Sequence, residues 1–239
     1  MKTQLLAITL LILSALALDT AHADDWYFEI SQGSESSYSR SGPGYREAGT
    51  SGQRESYGLS YTDGELEASH DRRTWEQGTR ETAASSTSYS RGDFDTNTVR
   101  FGRGGVEGSR RRGRAESWSY DDGVRRASRA RADFETESFR STPNSYERSV
   151  ARGGFDMGSY RSPYASGEYG RAYGDSYHYA SDPGGRRYDA SGASSSYARG
   201  SYEAPGGRRH YESRTNENWS AQGRSAFPYA PAYAGSWTP

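Results

Sequence analysis

SRARADFETES, residues 128–138, has a strict period of two. Ser128, Ala130, Ala132, Phe134, Thr136 and Ser138 alternate with Arg129, Arg131, Asp133, Glu135 and Glu137. That period sends one set to each side of a β-strand, one side small or aromatic and the other charged. Ala, Arg and Glu are also good helix formers, so a helix over 125–140 competes. The Gly, Ser and Thr around the stretch favour the strand.

Outward from this stretch, SYDDGVRRAS (119–128) repeats the pattern of SYTDGELEAS (60–69). Asp-Gly between two β-compatible runs is a hairpin signal. Further turns are expected at Arg91-Gly92-Asp93, Arg103-Gly104-Gly105, Pro143-Asn144 and Arg152-Gly153-Gly154. These signals predict a weak antiparallel β meander over residues 55–157. Small side chains on one face would let it pack better against copies of itself than alone.

The flanks carry less pattern. Residues 24–54 form a Ser/Gly-rich N-terminal segment that opens on Trp26-Tyr27-Phe28-Glu29-Ile30, one short strand, and turns at Ser41-Gly42-Pro43-Gly44. Residues 158–239 form a Tyr/Arg/Gly/Ser-rich tail, punctuated by Pro and Gly and expected as coil. Its end, FPYAPAYAGSWTP, favours polyproline II. From Gly158 to Asn218 there is no Ile, Leu, Val, Met, Phe or Trp. Leu, Ile, Val and Phe make up about 6% of residues 24–239, far below the roughly 20% that flags disorder. The expected fold class is therefore a largely disordered, low-complexity chain with a weak antiparallel β meander in the middle.

The N-terminus addresses the chain. Lys2 precedes an apolar run from Leu5 to Leu18, and Ala21-His22-Ala23 gives a small-x-small site before Asp24. Residues 1–23 read as a secretory signal peptide cleaved after Ala23. The expected location is extracellular, with no membrane association after cleavage. Cysteine is absent, so disulfides cannot staple a chain with so small a core.

Net charge is −1, and Lys2 is the only lysine. Every other side-chain cation besides His is Arg, which pairs carboxylates bidentately and stacks on rings. The 20 Tyr supply the rings. Arg-over-Tyr contacts are worth about 0.5–1 kcal/mol each when exposed, and many of them between chains would give cohesion.

Catalytic chemistry is not legible. His70, His178 and His210 sit in polar, turn-rich surroundings, and no nucleophile–base frame or metal-ligand spacing accompanies them. No enzyme and no cofactor are expected. FGRGG (101–105) and ARGG (151–154) look like RNA-binding pieces, and SRRRGR (109–114) is a basic stripe, read as a solvated turn. The balanced charge and the signal peptide argue against a nucleic-acid partner. Arg91-Gly92-Asp93 matches an integrin-recognised tripeptide, which chance supplies readily in a chain this rich in Arg and Gly. Asn218-Trp219-Ser220 is an N-glycosylation sequon, and Ser145, Ser166 and Ser201 each precede an acidic residue at +2, as kinases of the secretory pathway prefer.

PGGRRYD (183–189) and PGGRRHY (205–211) place Tyr188 and Tyr211 beside Arg186, Arg187, Arg208 and Arg209 after a turn. GGRRYD (184–189), GGRRHY (206–211), YREAG (45–49) and PYAPAY (228–233) resemble the small Arg-, Gly- and Tyr-rich foot proteins of mussel byssus. The resemblance is one of composition and covers the C-terminal third. It implies catechol formation and surface attachment at Tyr188, Tyr211, Tyr229 and Tyr233, with the four Arg as stickers. The chain is longer and far more acidic than that group, and its patterned middle has no counterpart there. The expected function is a secreted structural or adhesive matrix protein whose partners are itself, other matrix proteins or a solid surface. The rivals are a bacterial biofilm or fibril-forming protein and a mineral-associated shell or eggshell matrix protein.

Overall fold

A computed structural model describes residues 25–182 and 187–224. They form ten long antiparallel strands: β1 (Trp26–Gly42), β2 (Tyr45–Thr62), β3 (Glu65–Thr82), β4 (Ser86–Gly102), β5 (Gly105–Asp121), β6 (Arg126–Ser141), β7 (Tyr146–Arg161), β8 (Ser166–Ser181), β9 (Arg187–Ala204) and β10 (Gly207–Arg224). Their order in the sheet is their order in the chain. Among the described residues each strand contacts only its sequence neighbours, so the sheet is one open layer with β1 and β10 as its edges.

This overturns the largely disordered, low-complexity reading. The strand expected over 128–138 is present as β6, but the meander continues through both flanks. Residues 24–54 hold β1 and the start of β2, and the tail expected as coil holds β8, β9 and β10. The strand at the N-terminus runs to Gly42 rather than stopping at Ile30. The physical reason is that burial is not what organises this chain. Among the described residues only Val150, Tyr179 and Ala190 are buried hydrophobics. Cross-strand side-chain pairs, repeated at every interface, take the place of a core.

The turns hold a near-constant spacing. Among the described residues they fall at Pro43-Gly44, Asp63-Gly64, 83–85, Arg103-Gly104, 122–125, 142–145, 162–165 and Pro205-Gly206, about 20 residues apart except across the undescribed 183–186. Asp63 and Gly64 both have positive φ, 52° and 83°, which is the type I′ geometry that Asp-Gly favours. Four other turns share a different device. The side chains of Thr82, Asp122, Thr142 and Ser162 each accept amide protons two and three residues on, as in Thr142 Oγ1 from Asn144 at 3.1 Å and Ser145 at 2.9 Å. Turns expected at Arg91-Gly92-Asp93 and Arg152-Gly153-Gly154 are absent: both stretches lie inside strands, β4 and β7. Their glycines serve close cross-strand packing instead. SRRRGR likewise lies within β5 and is not a turn.

Constant spacing keeps the register in phase. Gln32, Arg72, Arg112 and Arg152 lie 40 residues apart and share one line across the sheet. Each such line, a rung, takes one residue from every strand, and successive rungs alternate between the two faces.

Candidate interaction surface

Rungs on one face sort by chemistry. Nearest the β2–β3 turn, three of them carry Ile30, Leu59, Leu66, Val99, Val106 and Val150. Among residues 24–239 the one other Leu, Ile or Val is Val124, in a turn. Trp26, Phe28, Tyr57, Tyr61, Phe101, Phe139, Tyr146, Tyr177, Tyr179, Tyr188 and Trp219 lie on the same rungs. Stacked or tilted ring pairs run through them: Trp26–Tyr61 at 6.3 Å, Tyr146–Tyr179 at 6.3 Å, Tyr179–Tyr188 at 6.2 Å and Tyr177–Trp219 at 5.9 Å. The band touches all ten strands within a strip of roughly 600 Å² from strand and rung spacings, and His70, Asn97, Arg110, Glu137 and Arg148 interrupt it across β3–β7. Patches beyond a few hundred Å² mark interaction surfaces. It is open at the β1 end, where Ile30 is 51% exposed, and closes over at Val150 and Tyr179, 7% and 5% exposed.

Next on this face comes a charged rung: Glu55, Arg72, Asp95, Arg112, Glu135, Arg152 and Asp175 alternate in sign from β2 to β8. Glu76, Arg91, Glu116, Arg131, Asp156 and Arg171 do the same two rungs on. A third such rung, Glu67, Arg100, Glu107, Arg140 and Glu147, lies on the opposite face. Glu135 accepts from both neighbours, Arg112 at 2.8 Å and Arg152 at 3.2 Å. Arg100 reaches Glu67 at 2.8 Å and Glu107 at 3.3 Å. The near-zero net charge of the chain is thus spent as intramolecular ladders. Carboxyls are held below their ordinary values: Asp95 by its bond from Arg110, Glu135 by Arg112, Asp156 by Arg129, and Glu55 by Tyr57 and then His70. Phenols on carboxylates go the other way. Glu55 pushes Tyr57 up, Asp133 pushes Tyr173 up, and burial followed by Asp156 raises Tyr169.

The glycines answer the rings. Gly49 stands opposite Tyr38, Gly78 opposite Tyr89, Gly113 opposite Phe94, Gly153 opposite Phe134, Gly158 opposite Tyr169 and Gly192 opposite Trp219. At each of these a Cβ would lie 2.5–2.7 Å from a ring carbon. The ring lies flat over the bare backbone and shields it. Tyr38 and Tyr89 lean toward each other over Gly49 and Gly78 until their hydroxyls are 3.4 Å apart. On the face that carries Phe94 and Phe134, small residues also line up, with Ser88–Ser119 at 2.8 Å and Ser128–Ser159 at 2.9 Å.

The residues singled out by sequence are dispersed. Tyr188 lies in the apolar band, stacked on Tyr179 and reaching over Gly223. Tyr211 covers Gly200 from the edge strand and is half exposed. Of the first PGGRR stretch only Arg187 is described, and it lies at the opposite end of the sheet from the second stretch. The second forms the β9–β10 turn, with Arg208 opposite Glu203 and Arg209 opposite Tyr202; among the described residues neither makes an ion pair. Arg187 opens β9 opposite Arg224, and its amide donates to Asp182 Oδ1 at 2.8 Å. Arg186, Tyr229, Tyr233 and Ala23 lie outside the described residues. Asn218 is exposed on β10 opposite Ala193. Ser145 closes the β6–β7 turn against Thr142, Ser166 sits between Arg161 and Glu203, and Ser201 between Glu168 and His210. Arg91-Gly92-Asp93 is flat in β4, with Arg91 Nε bonded to Glu76 at 2.7 Å and Asp93 accepting from Thr74 at 3.1 Å.

Sequence reading missed the apolar band, the charged rungs and the ring–glycine pairs. The available signal was the turn spacing: Pro43, Pro143, Pro163 and Pro183 differ by multiples of 20. Folding the chain at that period brings all three features into line. No protein-family model and no curated protein matches the chain. What the arrangement offers is surface: two long strand edges and an apolar band. Among the described residues no group of His, Cys, Asp or Glu is placed to hold a metal ion.

Proposed function

We propose that the protein is a secreted structural component of an extracellular matrix or adhesive layer, built by association of the chain with copies of itself. The observation that carries this reading is the open single-layer sheet, whose two edge strands are 17 and 18 residues long and lack a partner among the described residues. Edge strands of that length are templates for pairing with another chain unless Pro, Lys, a bulge or a covering segment blocks them. β1 and β10 contain neither Pro nor Lys. The signal-like N-terminus supports export. Many Arg–carboxylate contacts are made within one sheet, so association draws on the edges, the apolar band and the exposed Tyr.

A fibril-forming matrix protein is the specific form that the free edges favour. Sedimentation velocity of the mature protein over a concentration series at low salt checks the reading. Growth of large species with concentration is expected, with cross-β diffraction from the product. A monomer at every concentration overturns it.

A further inference from the structure

The two edges differ in a way that selects their pairing. β1 carries two Glu and one Arg, whereas β10 carries four Arg and two Glu. Like edges therefore repel and unlike edges attract. With ten strands in meander order, β1 and β10 run antiparallel to each other. A copy displaced along the sheet thus presents its β1 to β10 in the sense the sheet already uses. We propose that β10 of one copy pairs with β1 of the next in the sheet's own register, Gly223 opposite Trp26, giving an open end-to-end filament. This rests on the self-association reading above and specifies its interface.

The register is fixed by side chains. Continuing each rung sets Gly223 against Trp26 of the next copy, Ala221 against Phe28, Trp219 against Ile30 and Arg214 against Glu35. The first is the ring-over-glycine pair used throughout the sheet. The second and third carry the apolar band across the junction and cover its exposed end, where Phe28 is 40% and Ile30 51% exposed. The fourth supplies an ion pair. Sliding by two residues puts Ile30 against Glu217 or Ala221 and Glu35 against Glu212 or Asn216, losing the apolar match or the charge match. Arg209 against Arg40 is the one like-charged pair, and Arg40 already faces Glu47 across β1–β2. Such a heterologous contact does not close on itself and propagates. Main-chain bonds give the affinity and the alternating side chains the specificity.

The chain has no cysteine, so paired substitutions report the junction alone. Ser36→Cys with Ser213→Cys, and separately Ser31→Cys with Asn218→Cys, place two thiols on one rung of the proposed junction. The two rungs differ in parity, so one falls at the closer antiparallel spacing, within disulfide reach. Within one copy the same pairs are about 43 Å apart from strand spacing. Mild oxidation of the full mature chain is expected to give a ladder of covalent dimers, trimers and higher species. Glu35→Arg should weaken assembly about tenfold by opposing Arg214 with a like charge, and Arg214→Glu added to it should restore assembly. Circular dichroism confirms that each variant keeps its sheet. A disulfide within one chain, or an assembled protein that neither forms the ladder nor responds to Glu35→Arg, overturns the β10–β1 junction while self-association stands. A protein that stays monomeric overturns both.

Discussion

At Gly113 a methyl group would lie 2.5 Å from a ring carbon of Phe94 and 3.1 Å from the Asp133 carbonyl oxygen. Alanine normally improves on glycine inside a strand by roughly 0.5–1 kcal/mol. Here the sign should reverse. Gly113→Ala is expected to lower stability by about 0.5–1 kcal/mol because Phe94 must leave its cross-strand seat. Added to Phe94→Ala, the same change should cost little further. Urea midpoints of the two single variants and the double variant measure this coupling. The pH response is also a residue-scale matter. Asp95, Glu135 and Asp156 titrate below the ordinary values of 3.8 and 4.5. A depressed folded pKa contributes stability that is present above the unfolded value and lost as pH falls through the folded one. Tyr57, Tyr169 and Tyr173 titrate above 10.0. A raised folded pKa contributes below the unfolded value and is lost as pH climbs through the folded one. The urea midpoint should therefore fall below about pH 4.5 and again above about pH 10, with a plateau between them. A midpoint that rises on acidification would contradict the ladders. The Arg pairs of Asp95, Glu135 and Asp156 are solvent-exposed and individually weak, and added salt should flatten the acid limb.

The unit of construction is the hairpin of about 40 residues. Removing residues 65–104 joins Gly64 to Gly105 and deletes β3 and β4 with their turns. Rungs stay in phase: Arg112 replaces Arg72 beside Glu55, and Val106 replaces Leu66 beside Tyr61. The expected product is a folded eight-stranded sheet with undiminished β signal per residue in circular dichroism. Removing residues 65–84, one strand and its turn, instead feeds β4 into the sheet in the wrong direction. The β4–β10 block keeps its own rungs but is turned end for end and face for face, so the new seam sets Leu59 beside Ser88 and Glu55 beside Gly92 and the apolar band and charged rungs no longer run through it. That variant should be less stable than the eight-stranded one and unfold less cooperatively. Equal behaviour of the two deletions would show that register does not matter here.

For the molecule as a whole, contacts between sequence neighbours alone make stability nearly one-dimensional. Strands at the edges have one neighbour and those inside have two. In the monomer, amide hydrogen exchange should be fastest in β1 and β10 and slowest in the central strands. Assembly through the edges should then protect β1 and β10 most, a change that exchange mapping before and after assembly reads directly. Uniform protection along the chain would contradict the open single layer.

The alternation at 128–138, the Asp-Gly hairpin signals and the Pro-bearing turns at 43 and 143 identified strands and bends because period two and turn chemistry are local properties. The same local reading failed across the flanks. There Gly, Ser and Tyr dominate, and a count of Leu, Ile, Val and Phe reported disorder. That count assumes burial is what organises a chain. In this sheet the organising contacts are between residues roughly 15 to 37 positions apart, as with Phe94 on Gly113 or Arg112 on Glu135, and each residue type looks unremarkable beside its neighbours in sequence. The amino-acid sequence by itself determined the strand period at 128–138, the Asp-Gly turns, the turns at Pro43 and Pro143, and the balance of charge. Only the tertiary structure decided which residues share a rung, because register is set by many weak cross-strand pairs acting together. With it came the apolar band, the charge ladders and the unlike edges on which the proposed assembly depends.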